Sequence, residues 1–200
     1  VWRMELECNY FQSMEGDLDA SHGFYLHSTL DGNKNNQSLK IRGNTSVDPS
    51  PRYILKDTDY GLLMGAVRNQ PDGEMYMGIT HWMFPAFTTP GASPKVLQMN
   101  IRVPIDDYTT GHWWVACYPM VEGDVVQAPE EIPFYNPPVP TLDENDQPIY
   151  EQLRSNSAQD PAAWVTQGAI ADRTGEHLGR SDKGIIQFRQ MLEDNIRIVE

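Results

Sequence analysis

The chain is poor in cysteine and in positive charge. Its 200 residues include two cysteines, and 15 lysine and arginine residues stand against 28 aspartate and glutamate residues, for a formal net charge of −13. Two cysteines make no disulfide framework, so we expect buried or incidental thiols, which a reducing compartment would allow. The excess of acids argues against nucleic-acid binding, because phosphate contacts require lysine and arginine.

Long apolar segments are also missing. No run approaches the roughly 18 apolar residues that span a bilayer, and no charged segment followed by an apolar one opens the chain. We therefore expect a cytoplasmic protein that does not enter a membrane. The 40% of hydrophobic residues are enough for one core, so we predict a single domain over residues 1–200.

The pattern of apolar residues predicts an α+β domain. Five segments are rich in β-branched, aromatic and methionine residues and are separated by turn signals, which indicates an antiparallel meander. They are residues 52–56, 61–68, 74–84, 95–105 and 112–121. Helices are predicted at residues 15–27, 161–172 and 181–197. This arrangement is typical of helices that pack on one face of an antiparallel sheet.

Residues 128–148 form a segment without helix or strand pattern. They hold six of the fifteen prolines and five acids, so we predict a long loop. Two interpretations remain open. The loop is an ordinary surface crossover, or Phe134 and Tyr135 pack it down as a lid or a subunit-wrapping arm.

Residues 15–27 concentrate two of the five histidines with three carboxylates. If the segment is largely helical, Asp19 lies one turn before His22 and its carboxylate can orient the imidazole. His22 and His27 are about 140° apart on an ideal helix, so joint ligation requires the helix to end or distort between them, which Gly23 permits. Two imidazoles and one carboxylate are the ligand set of non-haem Fe(II) oxygenases. The carboxylate must come from elsewhere in the chain.

Asp182 is our candidate for that third ligand. Ser181 is predicted to cap a helix, and Asp182 precedes Ile185 and Ile186 by three and four residues, on the apolar face of that helix. A carboxylate on a buried face requires a cation. The alternative is that Asp182 is a first-turn carboxylate that the helix dipole favours.

Motifs at both ends of the chain carry a family resemblance. They are Asn9-Tyr-Phe-Gln12, Glu15-Gly16, Asp19-x-x-His22 and Leu26-His27, then Asp172-Arg-x-x-Glu-x-Leu178, Ser181-Asp182 and Arg189. Between them, Tyr60-Gly61 and residues 80–85 and 103–109 fit the same pattern. The chain resembles the catalytic domain of Rieske non-haem iron ring-hydroxylating oxygenases, most closely the phthalate dioxygenase-like branch.

The resemblance implies a fold, a site and partners. It implies a curved, helix-grip-like antiparallel sheet around a mononuclear Fe(II) held by His22, His27 and Asp182. Asp19 would be the acid that bridges to a Rieske-cluster histidine on the neighbouring subunit of a homotrimer. O2 and an aromatic substrate would react at the iron, by hydroxylation, dihydroxylation or O-demethylation. Electrons would come from NAD(P)H through a reductase.

The Rieske cluster itself does not fit in this chain. A [2Fe–2S] Rieske centre requires two cysteines and two histidines. Cys8 and Cys117 have no histidine two or three residues after them. We therefore expect the cluster on an N-terminal domain that precedes these residues in a longer polypeptide, and we do not expect this chain alone to complete NAD(P)H-driven turnover.

Other residues and other functions stay open at this point. His81 and Phe84, in an aromatic strand pattern, are weak candidates for a substrate pocket. A non-catalytic ligand-binding domain with an apolar pocket is one rival to the oxygenase. Another mononuclear metalloenzyme, such as a zinc hydrolase, is the second rival, but the His-Glu-x-x-His pattern usual in zinc hydrolases is absent.

Overall fold

A computed structural model describes residues 1–27, 48–90, 96–145 and 147–199, and in them a seven-stranded antiparallel sheet dominates the fold. The strands are β1 (Trp2–Leu6), β2 (Arg52–Thr58), β3 (Gly61–Asn69), β4 (Met75–Met83), β5 (Phe87–Thr89), β6 (Leu97–Pro104) and β7 (Thr110–Cys117). Their order is β1-β7-β6-β5-β4-β3-β2, and every neighbouring pair is antiparallel. The sheet is open, with β1 and β2 at its edges.

Four α-helices accompany the sheet in the described residues. They are α1 (Tyr10–Leu18), α2 (His22–Tyr25), α3 (Asn156–Val165) and α4 (Lys183–Val199). Short 3-10 helices cover Pro129–Glu131, Tyr150–Gln152 and Arg180–Asp182. None of the helices in the described residues combines the length and apolar character needed to cross a membrane.

The α+β class predicted from the sequence is confirmed, while several element bounds differ. The five predicted strands match β2, β3, β4, β6 and β7, although residue 95 at the start of one prediction lies outside the described residues. The predicted helix at 15–27 is interrupted after Leu18. The helix predicted at 161–172 instead runs from Asn156 to Val165, so that Pro161 lies inside it rather than at its start.

The apolar core lies between the sheet and helices α1 and α4. The rings of Phe188 and Trp82 are nearly perpendicular, with centroids 4.9 Å apart at 89°, the edge-to-face arrangement that aromatic pairs favour. The buried residues of this core are Met14, Leu18, Leu62, Met64, Trp82, Phe188 and Leu192. Burying each such side chain contributes about 1.5–3 kcal/mol relative to exposure. The core therefore fixes α1 and α4 against β3 and β4.

Gly184 permits the close approach of α4. A Cβ at this position would lie 2.7 Å from Met64 Sδ and 2.9 Å from the Leu18 carbonyl oxygen. Any side chain would push α4 away from α1 and β3, since protein interiors have no spare volume.

A second apolar cluster joins α3 to the other end of the sheet. Met4, Leu6 and Cys8, from β1 and the residues after it, pack with Trp164 of α3. Burial raises the pKa of the Cys8 thiol to about 11, as expected for an inert buried cysteine. This cluster fixes α3 over β1.

The segment 128–148 runs partly along the edge strand β1. The amide of Arg3 donates to the Tyr135 carbonyl at 3.0 Å, and the Tyr135 amide donates to the Val1 carbonyl at 3.0 Å. The ring of Phe134 lies 5.8 Å from that of Trp113. These contacts hold this part of the segment on β1, mainly through its backbone, and they satisfy backbone groups that an edge strand would leave free.

Candidate metal centre

The bend between α1 and α2 presents the two histidines. Asn9 caps α1 by accepting from the Phe11 amide at 3.0 Å, and α1 ends at Leu18, where Asp19 takes an extended conformation. His22 is the first residue of the short α2, and His27 follows the end of that helix. The helix therefore ends between the histidines, as the spacing predicted, at Tyr25 rather than at Gly23.

The third side chain at this place is Asp160 of α3. Its Oδ1 lies 3.1 Å from His27 Nε2 and 3.9 Å from His22 Nε2. In the described residues this is the one group of three potential ligands whose ligand atoms all lie within 4.8 Å of one another. Ligand atoms about 2.1 Å from one first-row metal and at right angles lie about 3 Å apart, so the spacing suits a shared cation.

Both histidines use Nδ1 for a hydrogen bond within the protein. His22 Nδ1 pairs with the backbone carbonyl of Asp19, and His27 Nδ1 lies 2.7 Å from Gln159 Oε1. Both partner atoms only accept hydrogen bonds, so each Nδ1 carries a proton, and a metal would be bound by the lone pair of Nε2. The Nε2 atoms are the ones that approach Asp160. Metal-bound histidines in proteins are oriented in this way.

The donor set fits a non-haem Fe(II). Two neutral imidazoles and one carboxylate occupy three positions and leave others for O2 and solvent. The site is also open on one side, because the side chain of His27 is 9% exposed while those of His22 and Asp160 are 31% and 27% exposed.

Asp182, the ligand predicted from the sequence, is not part of this group. Its Oδ2 accepts from the Gly179 amide at 2.6 Å, and its Oδ1 accepts from Ser181 at 3.3 Å, in an exposed turn before α4. This is the alternative that the sequence left open, a carboxylate at the start of a helix. The structure brings Asp160 to the histidines in its place.

The expected contact between Asp19 and His22 is made by a different atom. The carboxylate of Asp19 was predicted to reach the imidazole, but the backbone carbonyl does so. The carboxylate instead accepts from the Ser21 amide at 2.8 Å through Oδ1. Asp19 ends α1, so its carbonyl is free of the helix and can orient His22.

Asp160 was missed because Pro161 was interpreted as a helix start. Proline is common at the first helical position, which left Asp160 outside the predicted helix. In the structure Asp160 lies one turn before Trp164, a residue of the apolar face of α3. Asp182 was chosen because it lies one turn before apolar residues of its helix, and Asp160 has the same relation to Trp164. A predicted helix that began at Asn156 would therefore have identified Asp160 as well.

The two weak pocket candidates lie elsewhere. His81 is next to the core residue Trp82 on β4, so the alternation of the strand turns it to the opposite face, where it pairs with the Tyr60 hydroxyl at 2.9 Å. Phe84 follows β4, is 45% exposed and packs on Trp82 at 6.0 Å. These positions give no support to a pocket role.

A buried ion pair holds α1, and with it the first histidine, on the sheet. The carboxylate of Asp17 accepts from Arg102, whose side chain is fully buried, and also from Thr88 and from Asn100, the last at 3.0 Å. The guanidinium of Arg102 lies over the ring of Trp164 at 5.3 Å. A buried charge that keeps its partners fixes geometry, because moving it away from them is costly.

A second set of charges ties α1 to α4. Glu15 accepts from Arg173 at 2.9 Å and from Arg189 at 2.6 Å, and Arg189 also binds Glu176 with two hydrogen bonds at 2.6 and 2.8 Å. The hydrogen bonds from Arg189 lower the pKa of the Glu176 carboxyl. The bend at residues 19–21 thus begins from a helix that is held on two sides.

Comparison with known proteins identifies the family. The model of the family described as "LigXa C-terminal domain like" matches residues 1–128 and 147–200. The chain is 32% identical over 200 residues to the oxygenase subunit of 5,5'-dehydrodivanillate O-demethylase from Sphingobium sp., with 96% of this chain and 43% of that protein covered. It is 29% identical over 221 residues to the phthalate 4,5-dioxygenase oxygenase subunit of Pseudomonas putida, with 94% and 48% covered.

A solved structure shares the fold. It is a fluorene-bound complex of the oxygenase and ferredoxin of carbazole 1,9a-dioxygenase, in a variant with one phenylalanine replaced by tryptophan. The TM-score is 0.50 at 17% identity, with 94% of this chain and 53% of that chain covered. This likeness shows that the two chains share a fold, an open antiparallel sheet with helices on one face.

The class predicted from the sequence is confirmed. The chain belongs to the LigXa C-terminal-domain-like family, among the catalytic parts of Rieske-type oxygenase subunits. It spans about half the length of the curated relatives that it matches, 43% of one and 48% of the other.

Proposed function

We propose that this chain is the catalytic domain of a Rieske-type aromatic oxygenase and that it holds one Fe(II) on His22, His27 and Asp160. The observation that carries the proposal is the approach of two Nε2 lone pairs and one carboxylate oxygen, all within 4.8 Å, in a member of an oxygenase family. Fe(II) bound there would supply a site at which O2 is activated.

The residues of the chain have distinct tasks in this proposal. His22 and His27 bind the metal through Nε2, and their Nδ1–H groups are held by Asp19 and Gln159. Asp160 supplies the one negative charge of the ligand set, which leaves a net positive charge at a divalent cation. The open side next to His22 and Asp160 leaves room for O2 and for a substrate.

Asp19 is proposed as the link to the electron donor. Its carboxylate uses Oδ1 for the Ser21 amide, and in the described residues its Oδ2 has no partner, so one oxygen remains for a histidine of a neighbouring subunit. The Rieske [2Fe–2S] cluster would lie in a domain outside this chain, in an adjacent protomer of a homotrimer, and a reductase would supply it with electrons from NAD(P)H. His22 would then connect Asp19 to the iron.

The proposed substrates are aromatic acids and ethers. Among the related proteins, the names dehydrodivanillate, phthalate and phenoxybenzoate all denote aromatic carboxylates, while tert-butanol in a fourth name does not. We propose hydroxylation, dihydroxylation or O-demethylation of an aromatic carboxylate.

Nitric oxide provides a test that does not need the electron donor. It binds Fe(II) at positions open to O2 and gives an electron paramagnetic resonance signal. The chain is loaded anaerobically with Fe(II), and spectra are taken with and without phthalate, vanillate and phenoxybenzoate. We expect the signal in the native chain, a changed line shape with at least one acid, and no signal in the His22→Ala/His27→Ala double variant.

Two results would contradict the proposal. A native chain that gives no nitric oxide signal lacks an open iron site, and a signal that no aromatic acid alters indicates a metal site without an adjoining aromatic pocket.

The role of Asp19 must be tested in a protein that contains both domains. Asp19→Ala should keep its iron, because the backbone carbonyl that orients His22 remains, but it should lose NADH-dependent product formation. Loss of iron in this variant would contradict the linking role.

A further inference from the structure

Gln159 is a buried polar residue with two well-defined partners. It is 6% exposed and lies on α3, directly before Asp160. Its Oε1 is 2.7 Å from His27 Nδ1, and its Nε2 donates to the Leu153 carbonyl at 3.2 Å. Both ends of the amide are thus engaged inside the protein.

The partner at Leu153 decides which end of the amide faces His27. A backbone carbonyl only accepts, so it must meet the amide nitrogen, and the amide oxygen is left for the imidazole. The reverse orientation would place two acceptor oxygens against each other at the Leu153 contact. Because the amide oxygen cannot donate, His27 must carry a proton on Nδ1 to make this contact.

The contact with Gln159 also decides what lies on the other side of the imidazole. With a proton on Nδ1, Nε2 is the atom that faces Asp160 Oδ1, 3.1 Å away. Without a metal, Asp160 can accept a proton from Nε2. A metal at the site replaces that proton, while Gln159 keeps the proton on Nδ1.

The two histidines differ in how this state is fixed. His22 is held by the backbone carbonyl of Asp19, which no substitution of a side chain removes. His27 is held by a side chain, so its orientation can be changed by one mutation. Gln159 also lies next to Asp160, so one turn of α3 supplies both a ligand and the group that orients another ligand.

We propose that Gln159 is a positioning residue of the metal centre, which holds His27 in the Nδ1-protonated tautomer through its amide oxygen. This inference rests on the proposed function for the importance of the site, and it concerns a residue that itself binds no metal. Outer partners of metal-bound histidines typically change metal affinity by 10–100-fold when they are removed.

The tautomer can be measured without metal. Long-range 1H–15N correlation spectra of metal-free Asp160→Ala, in which no carboxylate competes for a proton on Nε2, distinguish a protonated Nδ1 from a protonated Nε2 at alkaline pH. We expect a protonated Nδ1 for His27 in Asp160→Ala. In Asp160→Ala/Gln159→Leu, which has no acceptor beside Nδ1, we expect a mixture of both tautomers.

Metal affinity gives the second readout. Anaerobic competition for Fe(II) against a chelator should show about a 10–100-fold weaker affinity for Gln159→Leu than for the native chain. The matched control is Gln190→Leu, an exposed glutamine on α4 that donates to Asp194 at 2.9 Å, and it should bind Fe(II) like the native chain. Thermal unfolding of each variant establishes that it is folded.

The outcomes separate the two proposals. A folded Asp160→Ala variant whose His27 carries its proton on Nε2 overturns the role of Gln159. So does a folded Gln159→Leu variant with native affinity for Fe(II). If the native chain binds no Fe(II), the metal centre is wrong, but a tautomer that differs between Asp160→Ala and Asp160→Ala/Gln159→Leu still supports the orienting contact.

Discussion

His112 is a buried histidine that must stay uncharged. It is 3% exposed, and its ring lies 5.0 Å from Trp2 and 5.4 Å from Trp164. Burial lowers its pKa well below the ordinary value of 6.5, and Arg102 lowers it further, while Asp17 acts weakly in the opposite direction. Neither ring nitrogen has a hydrogen-bond partner in the described residues.

Because of His112, we expect the folded protein to lose stability in mild acid. Its folded pKa is below its unfolded pKa, so below about pH 6.5 the unfolded chain binds more protons and the free energy of unfolding falls. Above that pH the contribution is constant. Replacing His112 by leucine should reduce the slope of stability with pH between pH 6.5 and 5.5, by at most about 1.4 kcal/mol per pH unit.

Urea unfolding at pH 7.5, 6.5 and 5.5 measures this slope for the native chain and for His112→Leu. The other histidines are the same in both proteins, so their effects cancel in the comparison. Equal slopes would show that His112 does not resist protonation in the folded state.

Part of the site could be predicted from the residues of the sequence. His22 and His27 were identified because they lie close together in a segment rich in acids. Asp160 was not identified, because it lies far along the chain from the two histidines and the sequence does not reveal that it is close to them in space. The choice of Asp182 used a sound rule, an acid on an apolar helix face, but that acid is satisfied by the Gly179 amide.

Gly16 sets the distance between helices α1 and α3. A Cβ at this position would lie 2.5 Å from Trp164 Nε1. The tryptophan cannot move freely, because its ring also packs on Arg102 and His112. The space at Gly16 is therefore required for α3 to lie on α1.

Replacement of Gly16 by alanine should destabilise the protein. Alanine in a helix gains about 1 kcal/mol over glycine, whereas overpacking a core typically costs about 1–3 kcal/mol, so we expect a net loss. The control is Gly175→Ala, since a Cβ at that glycine would meet nothing within 4 Å. Chemical denaturation measures both variants. A Gly16→Ala variant as stable as Gly175→Ala would contradict the packing argument.

The elements were predictable where their patterns are long. β2, β3, β4, β6 and β7 each have seven or more residues with strand composition, and all were predicted. β5 was missed because three residues are too few to show alternation. The five-residue strand β1 was also missed. Its pairing with β7 joins residues more than 100 positions apart, which local pattern does not reveal.

The whole molecule brings together ligands from distant parts of the chain. His27 and Gln159 are 132 positions apart, yet their side chains meet because α1 and α3 both pack on the sheet. Asp17 and Arg102 hold α1 on β6, while Trp164 holds α3 over β1. The sheet is thus the rigid support that sets the positions of the three proposed ligands.

The family could be recognised from the sequence because its motifs lie at both ends of the chain. The third ligand could not be read from the motifs in the same way, since several aspartates, Asp160 and Asp182 among them, lie in the C-terminal part of the chain. Only the packing of α3 against the bend after α1 distinguishes them. The distinction between these two acids is the central claim about the site.

The most direct measurement is the iron content of three proteins after anaerobic reconstitution with Fe(II): the native chain, Asp160→Ala and Asp182→Ala. We expect about one iron per chain in the native protein and in Asp182→Ala, and little in Asp160→Ala, because a site reduced to two imidazoles lacks the charge and ligand number that Fe(II) requires. Circular dichroism shows whether each variant is folded. Iron retained in folded Asp160→Ala and lost from folded Asp182→Ala would show that Asp182, not Asp160, is the third ligand.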